Sequence, residues 1–122
     1  PDVAQSVAVT MAALQIKGTL TGLGTLRVKE TDRIAALSGE LAKFGVGCSS
    51  TADTLTIESF SSRQADICLE TYQDHRMAMA FAPAALVLPE VRINNPHVVS
   101  KSYPQYWNTL QQAGFKITEA CL

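Results

Sequence analysis

Little in this sequence is one-sided. Ten Lys and Arg stand against eleven Asp and Glu, a net charge of −1, so no global basic field points to a nucleic-acid surface. Aromatics make up only 7% and do not interleave with basic residues, which argues against stacked bases. The longest apolar run, Met77 to Leu88, is twelve residues and broken by Pro83, too short to cross a bilayer. Three cysteines, Cys48, Cys68 and Cys121, form no C-x-x-C pair and cannot all be bonded within one chain. That fits a reducing compartment, and a cytoplasmic location is expected. His75 and His97 are the only histidines, with no Cys or carboxylate at ligand spacing, so no metal is expected. The chain starts Pro1-Asp2 with no Met and no charged-then-apolar leader, which reads as a piece of something longer.

What remains is ordinary globular material: 122 residues, 47% apolar, enough for one core. Val3, Val7, Met11 and Leu14 recur at helical spacing before Gly18. Thr19 to Leu26 alternates around Gly22 and Gly24 and reads as a short strand or strand-loop. Ile34, Leu37, Leu41 and Phe44 predict an amphipathic helix from about Thr31, closed by Gly45. Val46 to Ser50 and Thr54 to Ser59 read as paired strands around a "TAD" turn, and Ala65, Ile67 and Leu69 as a half-buried strand. "DHRMAMAFAPAALVL" predicts a third helix capped by Asp74 and, being apolar all round, buried on every side. Val91 to Ile93 reads as a strand, and Tyr103 to Leu110 as a helix with Pro104 in its first turn and Gly114 at its end. Phe115 to Thr118 reads as a final strand. The order suggests an α+β chain of two β-α-β-α-β-β-like units, the first truncated at its beginning.

The charges in "TLRVKETDR", Thr25 to Arg33, raise a sharper question. A cation at a helix start works against the macrodipole by up to about 1 kcal/mol, yet three expected helix starts carry one: Lys29 with Arg33, then Arg76, then Lys101. Helix N–H groups and cations together make a natural polyanion site. The plainer reading is solvated pairing. Lys29 with Asp32 and Glu30 with Arg33 stand three apart and would be worth under about 0.5 kcal/mol each. Arg76 could pair with Asp74, Lys101 could be a loop lysine, and Asp2 could be simply an N-cap.

"LRVKETDRIAALSGELAKFGV", "TYQDHRMAMAFAPAAL" and "KSYPQYWNTLQQAG", with "PDVAQSVAVTMA" at the start, closely resemble the C-terminal part of the 5-enolpyruvylshikimate-3-phosphate synthase family, in that family's order and spacing. The resemblance covers nearly the whole chain. It implies an inside-out α/β barrel of β-α-β-α-β-β units, with sheets on one side of buried helices. Residues 1–122 would then be the later part of the C-terminal domain, with the N-terminal domain lying elsewhere in the parent. It also implies shikimate-pathway chemistry on two anionic partners, phosphoenolpyruvate and shikimate 3-phosphate, with no cofactor. The cations would face phosphate and carboxylate.

By the same resemblance Asp2 matches the base that accepts the proton of the attacking hydroxyl, and Lys29 a contact to that hydroxyl. Glu30 matches the acid/base at the phosphoenolpyruvate methylene. Arg33, Arg76 and Lys101 match phosphoenolpyruvate-binding cations, and His75 an orienting or relaying neighbour. Thr25 stands where some members have an asparagine, and its hydroxyl cannot copy an amide's reach. A segment holding half a cleft is expected to fold without turning over, since it can neither exclude water nor orient two substrates. Two other classes stay open: a sister transferase acting on UDP-N-acetylglucosamine, and a noncatalytic module of the related fold found in RNA-processing cyclases.

Overall fold

Helix α1 (Ala4–Ala13) buries Ala4, Gln5, Ala8 and Val9 rather than the expected apolar stripe. Ala4, Ala8 and Val9 let it approach α3 closely, whereas Val3, Val7 and Leu14 of the expected stripe are exposed and Met11 is half-buried. The computed structural model describes residues 3–28, 32–61, 68–88 and 90–118. Strand β1 (Gly18–Leu20) ends sooner than its alternation suggests. Gly22, at φ 73°, turns the chain into a 3-10 turn (Gly24–Val28), with Leu23 and Leu26 buried as its anchors.

Helix α2 (Arg33–Lys43) forms where the sequence places it. Asp32 is extended and accepts the Ala35 N–H at 3.1 Å, so the cap sits one residue before the helix. Ile34, Leu37 and Leu41 are buried along one stripe, and Gly45, at φ 81°, takes the left-handed exit. Strands β2 (Val46–Ser50) and β3 (Leu55–Phe60) pair antiparallel from Ser50↔Leu55 to Val46↔Phe60, with an irregularity at Gly47/Cys48. β1 adds to the other edge of β3, giving the order β1-β3-β2.

A second, two-stranded sheet is parallel: β4 (Cys68–Leu69) runs beside β5 (Arg92–Ile93). Ala65 and Ile67, read as part of the earlier strand, lie outside the described residues. Between these strands stands α3 (His75–Phe81), capped by Asp74 as expected. It does not continue to Leu88. Pro83 lacks an N–H and crowds the preceding turn, so the chain tightens into a 3-10 segment (Ala82–Leu86). Burial fails with it, for Leu86 and Val87 are exposed.

After a 3-10 turn (Pro96–Val99), α4 (Tyr106–Gln112) begins behind Pro104 rather than around it. Phe115 to Thr118 forms no strand, because among the described residues no neighbouring strand pairs with it. The main core gathers Ile34, Leu37 and Leu41 with Leu55 and Ile57 of β3 and Met77 and Phe81 of α3, each buried side chain worth about 1.5–3 kcal/mol. A smaller cluster of Ala78, Ala82, Val99 and Tyr106 fastens the 96–106 region to the far side of α3.

Candidate active site

The polar centre of the molecule lies where the starts of α2 and α3 meet. Arg33, the first residue of α2, points inward and is only 2% exposed. Its Nε donates to Asp74 Oδ2 at 2.7 Å and its Nη2 to Asp74 Oδ1 at 3.2 Å, a two-pronged grip across 41 residues of sequence. Asp74 is fully buried and does three things. It takes both arginine bonds, its Oδ1 accepts the Arg76 N–H at 3.0 Å as the α3 cap, and the same oxygen lies 3.9 Å from His75 Nδ1. One carboxylate thus gathers Arg33, His75 and Arg76.

The arginines differ in what they have left to do. Arg76 is half-buried, and among the described residues its guanidinium has neither hydrogen bond nor ion pair. A cation kept partly out of water without a partner can meet an anion at little rearrangement cost. Lys101 is exposed and likewise carries no ion pair among the described residues. It lies two residues beyond Val99, which packs with Ala78 and Ala82 of α3. Its backbone is therefore tied to the helix that carries Arg76, but it does not touch Asp74.

One sequence expectation needs correction here. Lys101 stands well before α4, not at its start, because that helix begins only at Tyr106. At each helix start one first-turn N–H is already taken, by Asp32 at α2 and by Asp74 at α3. Asp2, Lys29 and Glu30 lie outside the described residues. Thr25 is exposed on the 3-10 turn.

Beside this centre lies a second polar knot. Glu40 of α2, 1% exposed, accepts from Lys43 Nζ at 2.7 Å and from the Glu70 N–H at 2.8 Å through Oε1, and from the Tyr72 hydroxyl at 2.7 Å through Oε2. Desolvation, then the hydrogen bond to Glu40 and its charge, push the Tyr72 phenol up to about 12. Tyr72 and Gln73 both have φ near the left-handed value, 53° and 55°, which costs a non-glycine residue about 1 kcal/mol or more. They are the two residues leading into Asp74.

Chemistry elsewhere is sparse. A cavity of about 190 Å³ between α1, α2 and the end of α3 is lined by Val9, Leu41, Phe44, Phe81 and Leu88, and none of the sequence-nominated cations borders it. Burial, then the charge of Glu58, push the Cys48 thiol up, which suits an inert side chain rather than a nucleophile. Among the described residues no cluster of three or more His, Cys, Asp or Glu is set to hold a metal, and no helix is long and apolar enough to cross a membrane.

Sequence reasoning found Asp74 as a cap but missed it as the partner of Arg33, and it passed over Glu40. A contact between residues 41 apart leaves no local spacing to read. The one available hint was a charged pair opening an otherwise apolar helix.

The family model of EPSP synthase (3-phosphoshikimate 1-carboxyvinyltransferase) matches residues 1–110. A 3-phosphoshikimate 1-carboxyvinyltransferase of Bacteroides fragilis strain YCH46 is 48% identical over 119 residues, 96% of this chain and 29% of that protein. The enzyme of the same name from Laribacter hongkongensis strain HLHK9 is 44% identical over 110 residues, 88% of this chain and 25% of its own length. Among solved structures, EPSP synthase from Acinetobacter baumannii superposes with a TM-score of 0.78 at 30% identity, covering 94% of this chain and 27% of that one. The chain thus spans under a third of the length of these relatives.

Proposed function

Since the chain belongs to the EPSP synthase family, we propose that it forms one wall of an active site that moves the enolpyruvyl group of phosphoenolpyruvate onto the 5-hydroxyl of shikimate 3-phosphate. In this reading residues 1–122 are the later part of a C-terminal domain, and a second domain of the parent closes the cleft. The observation that carries it is Arg76, half-buried, its N–H held by the Asp74 carboxylate that also grips Arg33, and its guanidinium without hydrogen bond or ion pair among the described residues. That guanidinium is suited to a partner that arrives with the substrate.

The chemistry needs two proton movements and a place for two anions. Asp2 accepts the proton of the 5-hydroxyl as its oxygen bonds to C2 of phosphoenolpyruvate, and Lys29 holds that oxygen in place. Glu30 delivers a proton to the methylene carbon in the same step, which leaves a tetrahedral centre carrying both the new ether oxygen and the phosphate. Removal of a methyl proton by Glu30 then reforms the double bond as the C–O bond to phosphate breaks. The products are the enolpyruvyl ether and inorganic phosphate. Arg33, Arg76 and Lys101 meet the phosphoenolpyruvate anion. Arg33 is fixed by Asp74 and presents a set orientation, while Arg76 closes on the ligand. His75, beside the same carboxylate, orients the neighbouring groups.

The test is phosphate release by the full-length protein from the two substrates together, with Glu30→Gln as the discriminating variant. Substrate affinity should stay within about tenfold while the rate falls by roughly a hundredfold or more, as loss of an acid/base group does. Unchanged turnover would reduce Glu30 to an ion-pair partner. No phosphate release by the unaltered protein would end the assignment.

A further inference from the structure

Asp74 can organise Arg33, His75 and Arg76 only if the segment before it is held in place, and that segment is conformationally unfavourable. Tyr72 and Gln73 both occupy the left-handed region without being glycine, and neither φ is one these side chains adopt readily. Something must over-determine this loop. On its β5 side it is tied by Thr71, fully buried, whose hydroxyl donates to the Asn94 carbonyl at 3.1 Å, and by the Asn94 side-chain amide donating to Glu70 Oε1 at 2.6 Å. On its α2 side everything converges on one carboxylate.

Glu40 accepts the Glu70 N–H at 2.8 Å and the Tyr72 hydroxyl at 2.7 Å, gripping the loop at two points two residues apart. Its charge is offset by Lys43, which also donates to the Cys68 carbonyl at 3.0 Å and so ties α2 to β4. The Tyr72 ring reaches across α2 at Gly39, where its hydroxyl would lie 3.9 Å from an added Cβ. Glu40 is therefore seven residues along α2 from Arg33, and it holds the loop that delivers Arg33's partner. One helix carries both the arginine and the anchor of its counter-ion.

We infer that Glu40 is a positioning residue for the anion site: through Tyr72 and the Glu70 N–H it locks residues 70–73 into the conformation that aims Asp74 at Arg33 and sets the start of α3 from which Arg76 projects. This deepens the proposed function and rests on it for the identity of the anion. It makes a selective claim. Of the three groups assigned to phosphoenolpyruvate, Arg33 and Arg76 lie at the two ends of this linkage and Lys101 lies off it, whereas Asp2 and Lys29, assigned to the attacking hydroxyl, are not on the loop.

The experiment uses the full-length protein with Glu40→Gln and, as the milder change, Tyr72→Phe, which keeps the ring and removes only the hydroxyl. The KM for phosphoenolpyruvate should rise about tenfold in Glu40→Gln and about threefold in Tyr72→Phe, with the KM for shikimate 3-phosphate within about twofold of the unaltered protein. Amide hydrogen exchange over residues 70–76 should quicken in both variants. A parallel rise in both KM values, or no rise in either, overturns the inference, as does unchanged exchange across the loop. If Glu40→Gln does not fold, the Tyr72→Phe split decides. Failure of the unaltered protein to release phosphate would instead overturn the enzyme reading, and the exchange measurement would still show whether Glu40 holds the loop.

Discussion

The starts of α2 and α3 are made from the same parts and use them in opposite ways. Each helix opens with an aspartate cap followed closely by an arginine. At α2 the cap stays outside: Asp32 keeps 40% of its side-chain exposure and pairs with Arg27 at 3.0 Å, five residues away, while Arg33 turns inward. At α3 the cap goes inside. Asp74 is wholly buried and takes Arg33 from the other helix, while Arg76 stays half-buried with no partner among the described residues. The difference shows that residue type at a helix start says little by itself. Depth separates a solvent-screened pair such as Arg27–Asp32 from a buried one such as Arg33–Asp74.

The largest effect should come from breaking the strut. Asp74→Asn keeps a good cap but leaves the buried Arg33 guanidinium facing a neutral amide. Removing one partner of a buried pair costs about 3–5 kcal/mol, so the urea midpoint of the full-length protein should fall clearly, and little of that loss should depend on salt. A loss below about 1 kcal/mol would mean that Arg33 does not depend on Asp74.

The next effect should fall on function alone. Arg76→Ala removes a cation from the positive end of a helix and breaks no ion pair among the described residues, so stability should be unchanged within about 0.5 kcal/mol. If Arg76 is the group that meets phosphoenolpyruvate, kcat/KM for that substrate should nonetheless drop about a hundredfold, near 2.7 kcal/mol of lost transition-state stabilisation. Loss of stability with kcat/KM intact would place Arg76 with the structural charges and leave the anion site without its main contact.

These two arginines also mark what could be read in advance. Period and capping placed α2, the β2–β3 pair and the start of α3, because each depends on residues within one or two turns of one another. The buried face of α1 was not legible. Val3, Val7 and Leu14 have the right period, but small Ala4 and Ala8 win the interior because they admit a closer neighbour. The end of α3 was lost to a single proline, and a strand at Phe115 to Thr118 to the lack of a partner. At the site, residue chemistry singled out Arg33 and Arg76 as candidate anion-binding cations, but not that one carboxylate gathers both of their helix starts. That fact belongs to tertiary packing, which no spacing encodes.

The smallest effect tests the outer half of the comparison. Desolvation works against the Asp32 carboxylate, yet the Ala35 N–H and the Arg27 guanidinium outweigh it and hold its pKa below the ordinary 3.8. A carboxylate lowered on folding stabilises the folded state fully above its unfolded pKa, and that contribution is lost as pH falls through the lower, folded value. Asp32 should therefore matter fully at neutral pH, begin to matter less near its ordinary value of 3.8, and cease to matter only below its lowered folded value. Half-exposed, its pair with Arg27 is screened by solvent, so most of the cost of Asp32→Ala, about 1 kcal/mol at pH 7, belongs to the lost cap. Asp32→Asn should recover most of that loss, since an amide oxygen still accepts the Ala35 N–H, and the remaining difference should shrink in high salt. Were Asp32→Asn instead as costly as Asp74→Asn, the surface pair would be a strut as well, and depth would not be what separates the two helix starts.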